Sequence, residues 1–173
     1  MKSGLLLMLI STLVLPAGAQ RSPCTTDPVY RQFDFWIGEW DVYAKNGKKA
    51  GDSKIELILD SCIILENWKS ASVSQGVHYA GKSFNTYNST TKQWQQTWVD
   101  NTGNTTEFLR GSGNDGKIVY YADKVMDPKG KNFMRRLTFT KLSNDKVRQF
   151  GERSDDDGKT WTAEYDLEYR RKK

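Results

Sequence analysis

Several segments of this chain place polar side chains on the same face as large aromatic rings, a pairing that could bind or act on a small molecule. Glu66 lies between Ile64 and Trp68 at alternating positions. Trp94, Gln96, Trp98 and Asp100 share a second face, and Ser83, Asn85 and Tyr87 a third. A carboxyl such as Glu66 is costly to bury unless something pairs it. Arg136, at the parity of Met134 and Thr138, or Arg148, at the parity of Phe150 and Glu152, is the expected partner. Aromatic walls with a few converging polar groups are the usual make-up of a small-molecule pocket. Trp68, Trp94, Trp98 and Tyr87 are expected to form walls. Glu66, Asn85, Gln96, Arg136 and Arg148 are expected to fix a ligand's orientation.

Other chemistries find less support. His78 is the only histidine, and it falls in a Gly-rich stretch expected to be a loop. A Ser-His-Asp hydrolase would need a nucleophile elbow and a second base. A haem-binding barrel would need an axial ligand held on a rigid strand. Two distant cysteines and one histidine do not make a metal site, and no cofactor is expected. Glu66, its pKa raised by burial, could serve as a general acid or base.

These side chains need a scaffold, and the pattern of turns supplies one. Turn signals recur at Asn46-Gly47, Asn101-Thr102-Gly103, Asn114-Asp115-Gly116, Asp127-Pro128-Lys129-Gly130, Ser143-Asn144-Asp145 and Asp156-Asp157-Gly158. Segments rich in β-branched and aromatic residues lie between them. The spacing predicts an all-β antiparallel meander closed into a barrel of about 8–10 strands. The strands centre on Trp40, Leu57, Leu65, Asn85, Gln96, Glu107, Val119, Leu137, Gln149 and Tyr165. Ser70 to Gly81 is the expected flexible loop. In the last strand, Trp161, Ala163, Tyr165, Leu167 and Tyr169 alternate with polar residues, so one face is buried and one wet. One short helix is expected near the start, with Asp27 as N-cap, Pro28 at the first position, and Tyr30, Phe33, Trp36 and Ile37 on one face.

The opening block FDFWIGEWDV (Phe33 to Val42) puts Gly38-Glu39-Trp40 after that helix, and looks like the start of a lipocalin or a related calycin barrel. The resemblance implies that Trp40 plugs one end and that Arg170 or Arg171 stacks on it. The mature chain also resembles a family of exported bacterial proteins known only as a domain of unknown function. The matching stretches are this block, Cys62/Glu66/Trp68, Gly81/Ser83/Asn85/Tyr87, Gln93 to Gly103 and the Ser154 to Trp161 turn. The likeness implies a secreted barrel-like fold and brings no activity with it. SDDDGKTW (Ser154 to Trp161) resembles the Asp-box of sialidase-like propellers, which implies a hairpin clamp; a calcium loop fits its spacing poorly.

Residues 1–19 read as a signal peptide, with Lys2, an apolar run from Leu5 to Leu15, and Ala17-Gly18-Ala19 as a cleavage site. Removing them from the 173 residues leaves 154, one β-barrel domain over 20–173. An exported protein, periplasmic or extracellular, is expected, with no membrane span. Two cysteines, Cys24 and Cys62, then favour a disulfide. The formal charge of +5 falls to +4 without Lys2, and acids and bases alternate along the chain, which sets nucleic acid aside. Asn88-Ser89-Thr90 and Asn104-Thr105-Thr106 are sequons that matter only in a eukaryotic host. The leading functional expectation is a secreted barrel that holds a partly apolar small molecule without covalent attachment. The alternatives are a structural or interaction protein of the cell envelope with no ligand, and a cofactor-free enzyme using Glu66.

Overall fold

A computed structural model describes residues 22–114 and 116–173; the signal-peptide reading falls outside them. After Ser22 the chain makes a single helical turn, α1 (Pro23–Thr26), then two 3₁₀ turns, Pro28–Arg31 and Asp34–Trp36. The expected short helix is thus three separate turns. Asp27 does cap the second, accepting from the Val29 amide at 3.0 Å, and Pro28 opens it. Tyr30, Phe33 and Trp36 are all buried. They recur every third residue, the period of a 3₁₀ turn, so their rings stay on one side.

Strands follow in a meander: β1 (Gly38–Ala44), β2 (Lys49–Ile58), β3 (Ile63–Ser74), β4 (Val77–Asn88), β5 (Gln93–Asp100), β6 (Thr105–Phe108), β7 (Arg110–Asn114), β8 (Lys117–Tyr121), β9 (Val125–Met126), β10 (Asn132–Ser143), β11 (Lys146–Ser154) and β12 (Thr162–Arg171). Every ladder is antiparallel, and the sheet runs β6-β5-β4-β3-β2-β1-β12-β11-β10-β8-β7, with β9 paired to β10. Its two terminal strands, β6 and β7, are consecutive in the chain and separated by Leu109 alone. One stretch therefore pairs with β5 in its first half and with β8 in its second, which nearly closes the barrel and leaves little open edge. All ten expected strand centres fall in strands; β7 and β9 are additional.

Two local expectations are corrected. Ser70 to Gly81 is no loop: β3 and β4 run through it as a hairpin that turns at Gln75 and Gly76, both at positive φ. His78 therefore sits on a strand, its Nδ1 2.7 Å from the Ser70 carbonyl. The alternation of the last strand holds only from Tyr165 to Tyr169. A register shift sets Glu152 opposite Ala163 while Gly151 faces Tyr165. Trp161 consequently packs on the outer side, under Arg136 at 4.4 Å.

The core fills one end of the barrel. Phe33 and Trp36 stack at 5.0 Å, and Phe139, Tyr120 and Trp94 surround Phe33. The Trp94 indole donates to Gln32 Oε1 (3.1 Å) and the Trp40 indole to the Trp36 carbonyl (2.8 Å). Gly38 turns the chain out of the plug at φ +136°, and a Cβ there would strike the Arg171 guanidinium. That guanidinium lies 4.2 Å over Trp40 and donates to the Ile37 carbonyl, the contact expected of Arg170 or Arg171; Arg170 instead covers Tyr43. Cys24 and Cys62 are joined, tying the plug segment to the turn before β3. The Ser154 to Trp161 turn is a clamp. Ser154 Oγ accepts from the Gly158 amide (2.8 Å), Asp156 from Thr160 (2.9 Å), and the Trp161 indole donates to the Gly158 carbonyl (3.1 Å).

Candidate functional site

The other end of the barrel is hollow. A cavity of about 620 Å³ opens there, within the ~300–1,000 Å³ range usual for small-molecule sites. Its walls are aromatic: Trp68 from β3, Trp98 from β5, Tyr165 from β12 and Phe108 from β6, with Leu137 and Leu167 between them.

Glycines in the strands behind them hold the rings back. A Cβ on Gly51 would lie 2.8 Å from the Trp68 ring, one on Gly81 2.3 Å from Trp98, and one on Gly151 2.3 Å from Tyr165. Each large ring lies flat across a bare stretch of backbone on a neighbouring strand, so it covers the sheet and does not project into the lumen. These three aromatic–glycine pairs keep the cavity open.

The floor is a hydrogen-bonded belt between the cavity and the packed end. Glu66 is 2% exposed. Its Oε1 accepts from Ser53 (2.8 Å) and its Oε2 from Ser83 (3.0 Å), on the strands either side of β3. Gln96 Nε2 donates to Asn85 Oδ1 (2.8 Å), Asn85 Nδ2 donates to Ser83 Oγ (3.0 Å), and the Tyr120 hydroxyl donates to Asn85 Oδ1 (3.2 Å). The Tyr169 hydroxyl lies 3.0 Å from Glu66 Oε1 and 2.8 Å from Gln149 Oε1. A phenol has one proton for these two acceptors. A proton on Glu66 completes the chain, with Glu66 donating to Tyr169 and Tyr169 to Gln149. Burial pushes the Glu66 carboxyl above its usual range, partly offset by the hydroxyls of Ser53, Ser83 and Tyr169, and pushes the Tyr169 and Tyr120 phenols well up.

The rim carries charge. The Tyr79 hydroxyl donates to Asp100 Oδ2 (3.0 Å), and the Trp98 indole lies within 3.3 Å of the same oxygen. Hydrogen bonds, those of Thr102 foremost, hold the Asp100 carboxyl down at about 2, so it is ionised at any ordinary pH. Arg135 grips Glu164 through two bonds, at 2.9 and 3.3 Å.

Measured against the sequence, Glu66, Trp68, Gln96 and Trp98 meet at the cavity. Asn85 lies just beneath the floor. Trp94 and Tyr87 belong to the packed end, where Tyr87 meets Tyr30 edge-on at 5.4 Å. Arg136 and Arg148 are corrected: both face outward and neither reaches Glu66. Arg136 binds Glu152 through two 2.8 Å bonds, and Arg148 binds Asp166 at 2.7 and 2.8 Å. The inward parity of β10 is that of Phe133, Leu137 and Phe139. Those three apolar residues could have shown that Arg135, and not Arg136, turns to the lumen. Tyr79, Tyr165, Tyr169 and Gln149 were also missed as site residues. The last two tyrosines carried a signal, the alternation of the final strand; Tyr79 was hidden by the expected loop.

No family model and no curated protein matches the chain. Among solved structures it is similar to a redesigned β-barrel (12% identity, TM-score 0.42, covering 81% of this chain and 94% of that one). It is also similar to a de novo designed fluorescence-activating β-barrel (17% identity, TM-score 0.42, 80% and 95% covered). A third, described as bound to DFHBI, shows 14% identity and TM-score 0.37, with 83% and 99% covered. The likeness is one of barrel architecture. Among the described residues no helix is long and apolar enough to cross a membrane, and no cluster of three His, Cys, Asp or Glu side chains could hold a metal ion.

Proposed function

We propose that this protein holds a small, partly apolar molecule non-covalently in the open end of its barrel. One observation carries the reading: a 620 Å³ hollow with ring-lined walls and a hydrogen-bonding floor stands above a core that is packed solid. The glycines beside Trp68, Trp98 and Tyr165 let those rings lie against the wall and leave the lumen free. Export to the periplasm or extracellular medium, and kinship with the exported bacterial family of unknown function, rest on residues 1–19 and on the FDFWIGEWDV block. The Cys24–Cys62 bond is in keeping with an oxidising compartment.

A cofactor-free enzyme would draw on the same carboxyl. Tyr169 is the titratable group within hydrogen-bond reach of Glu66, and its phenol is itself pushed far up. Glu66 thus lacks a neighbour ready to exchange protons near neutrality, which favours holding a molecule over transforming one.

Native mass spectrometry of protein purified from its own host tests the proposal. A retained small molecule, absent after denaturation and refolding, is the expected result. Protein that emerges empty, and fails to take up any of a panel of hydrophobic dyes, would show the hollow to be idle.

A further inference from the structure

The charge inventory of the cavity is one-sided. Its lining includes three acids, Glu66, Asp100 and Glu164, and one base, Arg135. Arg135 is already committed to Glu164 by two hydrogen bonds. Asp100 is held ionised at the rim by hydrogen bonds alone, from Thr102, Tyr79 and the Asn104 amide. Glu66, at the floor, meets only neutral groups: Ser53 from β2, Ser83 from β4 and Tyr169 from β12. Tyr79 and Tyr165, from β4 and β12, are further titratable groups of the cavity lining that the Glu66 charge reaches.

A carboxyl buried without a cation is strongly disfavoured once ionised. Natural cores seldom keep such a group unless something offsets it. Here the three hydroxyls offset the burial only in part, and among the described residues no cation meets the carboxyl. The walls above it, Trp68, Trp98, Tyr79 and Tyr165, offer ring faces, which attract cations.

We infer that the occupant is an organic cation: an amine on an apolar body, its nitrogen at Glu66 and its body between Trp68, Trp98 and Tyr165. The inference rests on the ligand-holding reading of the same cavity. An ammonium on the floor would supply the missing counter-charge. Glu66, protonated in the empty barrel, would then release its proton to solvent as the cation enters. The ammonium donates to the freed carboxylate oxygen, and the Tyr169 phenol keeps its own proton. An anionic occupant would face Asp100 on the way in and Glu66 at the end, with no free base to receive it.

A matched series tests this by isothermal titration calorimetry near pH 7.5: 2-(1-naphthyl)ethylamine, 2-(1-naphthyl)ethanol and 1-naphthylacetate. The amine should bind about tenfold or more tighter than the alcohol, and the carboxylate weakest. Repeating the amine titration in buffers of different ionisation enthalpy should show net proton release. Glu66→Gln, checked by circular dichroism for folding, should bring amine and alcohol within about threefold, and Asp100→Asn should leave most of the preference. Should Glu66→Gln not fold, the proton release of the unaltered protein decides the matter. Equal binding of amine and alcohol overturns the cation while leaving the ligand-holding reading intact. Tightest binding by the carboxylate overturns it too and would make Arg135 the anchor. Uptake of neutral Nile red with none of the three naphthyl compounds also ends the cation idea alone. If Nile red is refused as well, the ligand-holding reading falls with it.

Discussion

Trp94 and Trp98 lie on the same face of the same strand, yet they do different work. Trp94 is 2% exposed and wedged against the Phe33–Trp36 plug. Trp98 lies over Gly81 and looks into the hollow. Between them Gln96 joins the polar belt. One barrel thus has a solid end and an empty end, separated by a hydrogen-bonded floor. The solid end owes its density to a segment that is not part of the sheet at all: the short turns from Pro23 to Trp36 insert three rings where the strands alone would leave space. The empty end has no such insert, and its glycines let the rings lie back. Filling, more than strand number, decides whether a barrel of this size is a core or a container.

The tryptophan pair separates the two ends most strongly. Trp94→Ala should cost about 3–5 kcal/mol of stability, the range for a large buried ring. Trp98→Ala should cost only about 1 kcal/mol while lowering affinity for any cavity ligand about tenfold or more. Denaturant titrations and calorimetry on both variants read this out, and equal losses of stability would erase the distinction between the ends.

The disulfide comes next. Closing this 38-residue separation should be worth roughly 3–4 kcal/mol on a chain-entropy argument. Because the bond anchors the plug, reduction should lower the melting temperature and leave ligand binding unchanged well below that temperature. Binding lost before melting would mean that the plug also shapes the hollow.

A smaller effect probes the wall. In Gly151→Ala the three atoms nearest the new methyl all belong to the Tyr165 ring, so that ring must swing toward the lumen. The change should cost about 1–3 kcal/mol, as overpacking does, and weaken binding of bulky ligands more than of slim ones. Uniform weakening, or none, would show that the ring is not held back by that glycine.

The smallest effect is in the pH dependence of stability. The Glu66 carboxyl is raised in the folded state, so the folded chain keeps a proton that the unfolded chain has lost. Its contribution is complete below the unfolded pKa, about 4.3, and fades as pH climbs toward the folded value. Stability curves of the natural protein and Glu66→Gln should therefore diverge over that interval, with the variant the flatter. Parallel curves would mean that Glu66 titrates alike in both states.

Much of this was legible in the chain itself. The turn residues and the period-2 runs place ten strand centres within the observed strands, and the two cysteines pair as an exported chain would have them. β7 escaped because Gly111 and Gly113 dilute its pattern, and β9 is only two residues long. The hairpin of β3 and β4 reads as a loop in sequence because its tip is small and polar, Ser72 to Gly76 save for Val73. Met134 and Phe150 make the faces of Arg136 and Arg148 look inward in sequence, yet both neighbours belong to the outer surface with them.

Alternation along a strand is a local property. It tells which residues share a side, and so Glu66 with Trp68, and Gln96 with Trp98, could be grouped from sequence. It does not say which side faces inward, nor at what height along the barrel a residue stands, because both depend on strand register and on what the rest of the chain inserts. Only the folded barrel sets Trp94 against the plug and leaves Trp98 beside open space. Only there do Ser53, Ser83 and Tyr169, drawn from three separate strands, converge on one carboxyl without a cation among them.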